Sequence, residues 1–440
     1  MSHAAEVSVY DRMCWPEAEL ERALAGGAHR RELAAYLGAA EYSTLSALAH
    51  QAQAMRQRRT ARHERLKVYL LPGILGSQLG RLRAAGEAPD LLWVDPTDIV
   101  NGRLTELRLP RATPGKSSLR PQRLQPVQPL GAIVYSYLAL KLRLSAAGFD
   151  VVLYDYDWRG DVLASGQALA QRLAVDGAEQ LALVGHSMGA LLARAALAHY
   201  GAEAGAERIT RLIGIGAPHG GSIAAVQALR ATYPIVGRLA AMDRVHDAET
   251  LTRRAFRGFM SLYQLLPADG STLDLFDPDS WPRTGARPDP RLLRAARGFS
   301  QHLAASDQRF VSIVGTGQRT VTGVERRGPQ FRYQVSSAGD GTVAGSSSTL
   351  PGVKSYSLRC EHSELPRNES VAAALTDLLR QGRTQRLREG VIARHGRSTY
   401  VTDAVLRREL GRKLDWHQLS IAERRRYLDR LNEPPAAYRR

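Results

Sequence analysis

The sequence predicts an α/β fold, a mostly parallel sheet with helices on both faces. Three observations carry this. Short apolar runs at 67–71, 149–154, 180–184, 212–215, 309–314 and 353–358 alternate with helix-patterned stretches at 134–144, 163–173, 190–200 and 370–379. Strands separated by helices at this spacing pair in parallel through crossovers. Glycine-bearing turns close several of the runs, among them Pro72–Ser77 and Gly216–Ser222. The chain has 440 residues, 44% of them hydrophobic, enough for one large domain with appendages or for two domains.

Taken in order, residues 1–65 read as a basic helical extension. Pro16 opens one helix and Gly26-Gly27 ends it. Apolar residues at helical spacing (Leu33, Tyr36, Leu37, then Tyr42, Leu45, Leu48) mark two more, before a charge-rich close at 56–65. Residues 66–382 form the α/β domain. Within it, 80–130 is rich in Pro and Arg with weak periodicity and is expected to be irregular. Residues 223–305 break the strand–helix alternation and are expected to form a helical cap over the ends of the strands. A β-hairpin is expected within 321–335. Residues 383–440 are again basic and helical, and Ser420-Ile421-Ala422-Glu423 has the form of a capping box.

One stretch carries chemistry. Gly185-His186-Ser187-Met188-Gly189 lies between a strand and an Ala- and Leu-rich helix. In that setting Gly-x-Ser-x-Gly is a nucleophile elbow. A serine at the tip of a strained turn points its hydroxyl away from the backbone, and the glycines let strand and helix approach closely. The helix starting at Met188 aims free N–H groups and its positive dipole end where an oxyanion would form.

A serine hydroxyl needs a base within reach. In this type of fold the acid and then the histidine follow the nucleophile, each on a loop after a successive strand. Asp340, in Gly339-Asp340-Gly341-Thr342-Val343, and His362, in the loop after the next predicted strand, keep that order. A Gly-Asp-Gly turn and a loop histidine are each common on surfaces; order and loop placement together mark Asp340 and His362 as partners of Ser187. Asp155, Asp157 and Asp161 are the rival acids. His186, beside the nucleophile, is expected to pack or hydrogen-bond locally rather than act as base. The N–H groups of Met188 and of Leu75, or its neighbour Ile74, are expected to bind the oxyanion. Gly73, His219 and Trp158 are expected to contact substrate, a structural role for His219 being nearly as well supported.

These segments resemble the lecithin:cholesterol acyltransferase family, which includes phospholipid:diacylglycerol acyltransferases and lysosomal phospholipases. The resemblance rests on Leu71-Pro72-Gly73-Ile74-Leu75-Gly76-Ser77-Gln78-Leu79, Tyr156-Asp157-Trp158-Arg159, the elbow, Gly216-Ala217-Pro218-His219-Gly220-Gly221-Ser222, Gly339–Val343 and His362, in family order across 66–380. It implies an α/β-hydrolase fold and an acyl ester hydrolase or O-acyltransferase working on lipids through Ser187, Asp340 and His362. Secreted members carry a signal peptide and a disulfide-bounded lid, neither of which is legible here, so lid position and lipid preference do not transfer. The two basic ends fall outside the resemblance. The competing readings are a general carboxylesterase or polyester depolymerase on the same residues, and a non-catalytic binding or scaffold protein on a hydrolase fold.

The net charge of +17 favours polyanions. No zinc-finger, helix-turn-helix or aromatic-basic pattern supports nucleic acid. Peripheral contact with an anionic membrane is one reading of the basic ends; a brace in which they pack on each other and on the core is the other. The first residues lack a basic segment followed by an apolar core, no apolar run approaches membrane-spanning length, and Cys14 and Cys360 are the only cysteines. A cytoplasmic protein is therefore expected. No His-Glu-x-x-His or Cys/His cluster implies a metal and no Gly-Lys-Ser/Thr loop a nucleotide, so no cofactor is expected.

Overall fold

Six apolar runs assemble into the parallel part of a seven-stranded sheet. A computed structural model describes residues 16–58, 66–110, 125–200, 206–268, 273–391 and 398–439. The expectations that fall on 1–11, Cys14 and 59–65 lie outside these residues. The strands in chain order are β1 (Leu66–Leu71), β2 (Ser77–Arg81), β3 (Asp90–Trp93), β4 (Gln128–Ala132), β5 (Asp150–Leu153), β6 (Gln180–His186), β7 (Ile209–Ile215), β8 (Phe310–Thr316), β9 (Gln318–Arg327), β10 (Gln330–Gly339), β11 (Lys354–Arg359), β12 (Arg388–Glu389) and β13 (Thr399–Thr402). The main sheet runs β12-β11-β8-β7-β6-β1-β5, parallel throughout except for the short edge strand β12.

Alternation along each strand decides which helix layer it feeds. Val68, Leu70, Ala182, Val184, Ile213, Ile215 and Ile313 face one way, against Tyr137, Leu140 and Leu144 of the Val134–Ala146 helix and Val371, Leu375 and Leu378 of the Glu369–Gln381 helix. Tyr69, Leu71, Leu181, Leu183 and Leu212 face the other way, against Leu169 and Leu173 of the Val162–Ala174 helix and Leu191 and Leu192 of the Met188–Tyr200 helix. Strands buried on both faces need no polar alternation, which is why they read as continuous apolar runs. The fold is that of an α/β-hydrolase.

Three parts depart from the sequence expectation or fill it in. Residues 77–132 are not wholly irregular: β2 pairs antiparallel with β3 and with β4, in a small separate sheet. Their register shifts hide the alternation that a regular strand would show. The hairpin expected within 321–335 is β9–β10, and β13, from the C-terminal segment expected to be helical, adds a third strand to it. Residues 223–305 supply helices at Ile223–Leu229, Pro234–Met242, Ala248–Arg254, Met260–Gln264 and Pro290–Ala296.

The two extensions are knitted into the rest. The N-terminal helices bury Leu24, Leu33, Tyr42 and Leu45 with Val134, Leu138 and Leu142 of the Val134–Ala146 helix. From the C-terminal segment, Asp403 forms a 2.7 Å ion pair with Arg230, both side chains fully buried, and also accepts from the Tyr333 hydroxyl at 2.7 Å. Tyr438 hydrogen-bonds Gln227 of the cap in the interior. Arg425 reaches Glu41 at 2.8 Å, so the two ends meet each other.

Candidate active site

β6 ends at His186 and the next helix starts at Met188, so Ser187 takes the whole turn at a φ of 52°, one of four non-glycine residues with positive φ among the described residues. The strain is held by its surroundings: the Ser187 N–H donates to the Ile215 carbonyl at 2.8 Å, and the Ser187 carbonyl accepts from Ala190 at 3.0 Å. A Cβ on Gly189 would stand 2.2 Å from the Leu71 carbonyl oxygen, so the helix can lie against the end of β1 only with glycine there.

Asp340 and His362 come together from the loops after β10 and β11. His362 Nδ1 lies 2.7 Å from Asp340 Oδ2. The other carboxylate oxygen accepts from the N–H groups of Thr342 at 3.0 Å and Val343 at 2.7 Å. Since the carboxylate only accepts, the ring proton sits on Nδ1, which leaves the Nε2 lone pair free. A Cβ on Gly216, which has a φ of 58°, would come within 3.2 Å of Asp340 Oδ2 and 3.1 Å of His362 Nδ1; glycine here makes room for the pair. Ser187 and His362 line one cavity and are 6% and 7% exposed, while Asp340, at 1%, sits behind the imidazole. Ser187 and His362 are not hydrogen-bonded to each other among the described residues; such contacts often tighten only with substrate bound.

The turn after β1 is built to present donors. Gly76 N–H closes it onto the Gly73 carbonyl at 3.0 Å, and Leu75 sits at a φ of 64°, the third-position geometry of a type II turn. Trp93 holds the Leu75 carbonyl through its indole N–H at 2.8 Å. Among the described residues, neither the Leu75 nor the Met188 N–H donates to another group. The Tyr156–Arg159 segment clamps this turn from below. Tyr156 hydroxyl donates to the Pro72 carbonyl at 2.9 Å, Trp158 indole to the Ser77 carbonyl at 2.9 Å, and Ser77 Oγ accepts from the Tyr156 N–H at 3.1 Å. Arg159 ties the same loop to the Leu107 carbonyl at 2.7 Å and to Asp157 at 2.6 Å.

His186 packs locally, as its place beside the nucleophile suggested, in a specific network. The Gly73 N–H donates to Tyr137 Oη at 2.9 Å, Tyr137 meets His186 Nδ1 at 2.9 Å, and His186 Nε2 meets the His362 carbonyl at 3.0 Å. The carbonyl can only accept, so Nε2 carries the proton and Tyr137 donates to Nδ1. Burial, with His362 close by, drives the His186 imidazole down to about 3, so it is neutral in this network. The turn before Leu75 and the loop bearing His362 are thereby joined through one buried histidine.

The cavity, about 320 Å³, is mostly apolar. It is lined by Trp158, Leu239, Phe256, Phe259 and Leu262, and also by Tyr135, Tyr233 and Asn432. Gly73 and Trp158 line it. His219 does not. The turn closed by Gly221 N–H on the Pro218 carbonyl sends Pro218 to the cavity, and His219 Nε2 instead lies 3.4 Å from where a Cβ on Gly214 would be. Burial, with Arg194 nearby, lowers that imidazole to about 3. The rival acids are engaged elsewhere: Asp155 accepts from the Gly131 N–H, Asp157 pairs with Arg159, and Asp161 caps the Val162–Ala174 helix. Sequence reasoning missed Tyr137, Trp93, Tyr233 and the C-terminal lining residues, because none sits in a motif. Among the described residues no three His, Cys, Asp or Glu side chains gather as a metal-binding group.

A family model, lecithin:cholesterol acyltransferase, matches residues 149–289, less than half of the chain. The match includes Trp158 and Ser187 and ends before Asp340 and His362. Over that span the chain is similar to this family, whose members the resemblance of the motifs had already indicated. No curated protein matches the chain. Among solved structures, similar ones include the Bacillus licheniformis lipase BlEst2 in mature form, at 14% identity over 73% of this chain and 94% of that chain with a TM-score of 0.36. The Tle4-Tli4 complex contains another, at 16% identity over 73% of this chain and 98% of that one with a TM-score of 0.42.

Proposed function

We propose that the protein is a serine acyl hydrolase or O-acyltransferase acting on lipid-like carboxylic esters through Ser187, His362 and Asp340. The observation that carries this is the 2.7 Å Asp340–His362 bond, whose imidazole opens on the cavity reached by the strained Ser187. The family similarity over 149–289 supports the substrate class.

Ser187 Oγ attacks the acyl carbon while its proton passes to His362 Nε2, and Asp340 steadies the imidazolium through Nδ1–H. The tetrahedral oxyanion lies between the N–H groups of Met188 and Leu75; one such donor is typically worth about 3 kcal/mol of barrier. Collapse breaks the ester C–O bond, and His362 returns the proton to the departing alkoxide. The acyl group, now on Ser187, passes to water or to an acceptor alcohol that His362 deprotonates in turn. The apolar walls favour an acyl group rich in hydrocarbon. A cytoplasmic enzyme reaching lipid from the membrane surface is part of the proposal, supported by the +17 charge; among the described residues no helix is long and apolar enough to cross a membrane.

The test incubates the pure protein with mixed lipid esters, with and without an alcohol acceptor, and identifies products by mass spectrometry. A fluorophosphonate probe should label Ser187, and Ser187→Ala should lower turnover by about 10⁴-fold or more. A Ser187→Ala protein that keeps a tenth of wild-type turnover overturns the assignment. Failure of the probe to label the wild type would favour the scaffold reading.

A further inference from the structure

One wall of the cavity comes from a segment that neither the motifs nor the family match includes. Leu428 and Leu431, at and just after the end of the Ile421–Asp429 helix, line the same cavity as Ser187 and His362. Both are partly buried and packed on the main core. The segment is fastened by polar anchors. Tyr233 hydroxyl donates to Asn432 Oδ1 at 2.6 Å, and Asn432 Nδ2 donates to Thr342 Oγ1 at 2.9 Å, two residues from Asp340. Arg238 donates to the Leu431 carbonyl at 2.9 Å, and its own carbonyl accepts from the Tyr427 hydroxyl at 2.9 Å. The segment lines the cavity with the hydrocarbon of Leu428 and Leu431 beside the polar Arg425, Asp429 and Asn432, and Asn432 is held in place by Tyr233 and Thr342.

We propose that Leu428 and Leu431 are specificity-determining residues: the C-terminal segment forms a wall of the acyl pocket and sets the length of the aliphatic chain the site accepts. This rests on the acyl-ester reading above. A cavity of about 320 Å³ is at the small end of ligand-enclosing sites, so it suits a single acyl chain. Trp158, Leu239 and Phe259 of the hydrolase core and cap line the same cavity. Each methylene taken out of water between such walls changes affinity roughly fourfold, and each that meets a filled wall is refused. The C-terminal segment thereby acts on the chemistry of substrate choice, a role distinct from membrane attachment or bracing.

The experiment uses the full chain. Wild type, Leu428→Ala, Leu431→Ala and Leu431→Phe are assayed for kcat/KM on p-nitrophenyl esters from acetate to palmitate, with thermal unfolding followed in parallel. The alanine variants should raise the ratio of long- to short-chain kcat/KM by about tenfold, and Leu431→Phe should lower it by a similar factor. Opposite shifts at one position do not arise from a general loss of fold; should an alanine variant unfold, Leu428→Val and Leu431→Val carry the comparison. Ratios within twofold of wild type in every folded variant overturn this proposal alone. A wild type that reacts with no ester and with no fluorophosphonate overturns the acyl-ester reading and this inference with it.

Discussion

The Tyr137 hydroxyl donates to His186 Nδ1 at 2.9 Å, in the middle of a buried chain that starts at the Gly73 N–H and ends at the His362 carbonyl. One end sets the turn that bears the Leu75 N–H; the other sets the loop that carries His362. Neither tyrosine nor histidine needs to touch a substrate for the pair to matter, because each fixes the backbone on one side of the reacting atoms.

Tyr137→Phe removes the acceptor of the Gly73 N–H and the donor to His186 without changing the ring. Two buried polar groups lose their partner, a cost of about 1–3 kcal/mol each in stability. The expected kinetic signature is a fall in kcat with KM little changed, since the geometry of the transition state suffers more than the acyl pocket. Steady-state kinetics on a short ester, beside urea unfolding, measure both. Unchanged kcat with lowered stability would leave the network a purely structural feature.

His186 also predicts a pH dependence of stability. Its folded value near 3 lies below the unfolded 6.5, so the unfolded chain binds the extra proton between these limits. Stability from this group is complete above about pH 6.5 and is lost as pH falls toward 3. His186→Gln should therefore be less stable at pH 7 but lose less between pH 7 and pH 4.5 than wild type. Unfolding midpoints at the two pH values decide it; equal losses in both proteins contradict it.

Asp340→Asn keeps the size of the carboxylate but presents an amide to the imidazole, and should remove most turnover with little change in fold. Asp157→Asn loosens Arg159, which ties the 156–159 clamp to the Leu107 carbonyl. Its effect should be the smaller on kcat. Should Asp157→Asn prove the more damaging while the protein stays equally stable, the wrong carboxylate has been assigned to His362.

Asp403→Asn tests how firmly the C-terminal segment is built in. It leaves Arg230 charged in the interior without its counter-ion, a change that typically costs about 3–5 kcal/mol. A loss below about 1 kcal/mol in chemical denaturation would mean that the pair is dispensable. For the same reason, a chain ending at Gln381 is a poor probe of membrane binding, because it removes Asp403 along with the basic charge.

Membrane contact is better tested by Arg30→Glu, Arg31→Glu and Arg426→Glu, all at exposed positions of the two extensions. If charge draws the enzyme to anionic bilayers, the full chain should sediment with anionic and not neutral vesicles at low salt. High salt and the triple substitution should each weaken binding, by about 1 kcal/mol per charge lost near the surface. Equal binding to both vesicle types at low salt supports the brace, which the Arg425–Glu41 contact between the two ends already favours.

The sequence by itself determined the sheet, the strand–turn–helix elbow at Ser187 and the pairing of His362 with Asp340. Doubly buried strands must be apolar throughout, and a strained turn between strand and helix needs glycine at Gly185 and Gly189, so local chemistry writes these features into short contiguous stretches. Chain order then separated Asp340 from Asp157. The tertiary structure alone decided the rest. His219 sits in a motif yet its turn carries the ring away from the cavity, while Tyr137, on an ordinary amphipathic helix, reaches both the turn after β1 and His186. Leu428 and Leu431 look in sequence like the apolar side of a basic tail helix. The hydrogen bonds of Asn432 to Tyr233 and Thr342, made between residues 199 and 90 positions apart, hold that side against the cavity. Contacts between residues far apart in sequence depend on how separate elements stack, and no periodicity within any one element encodes them.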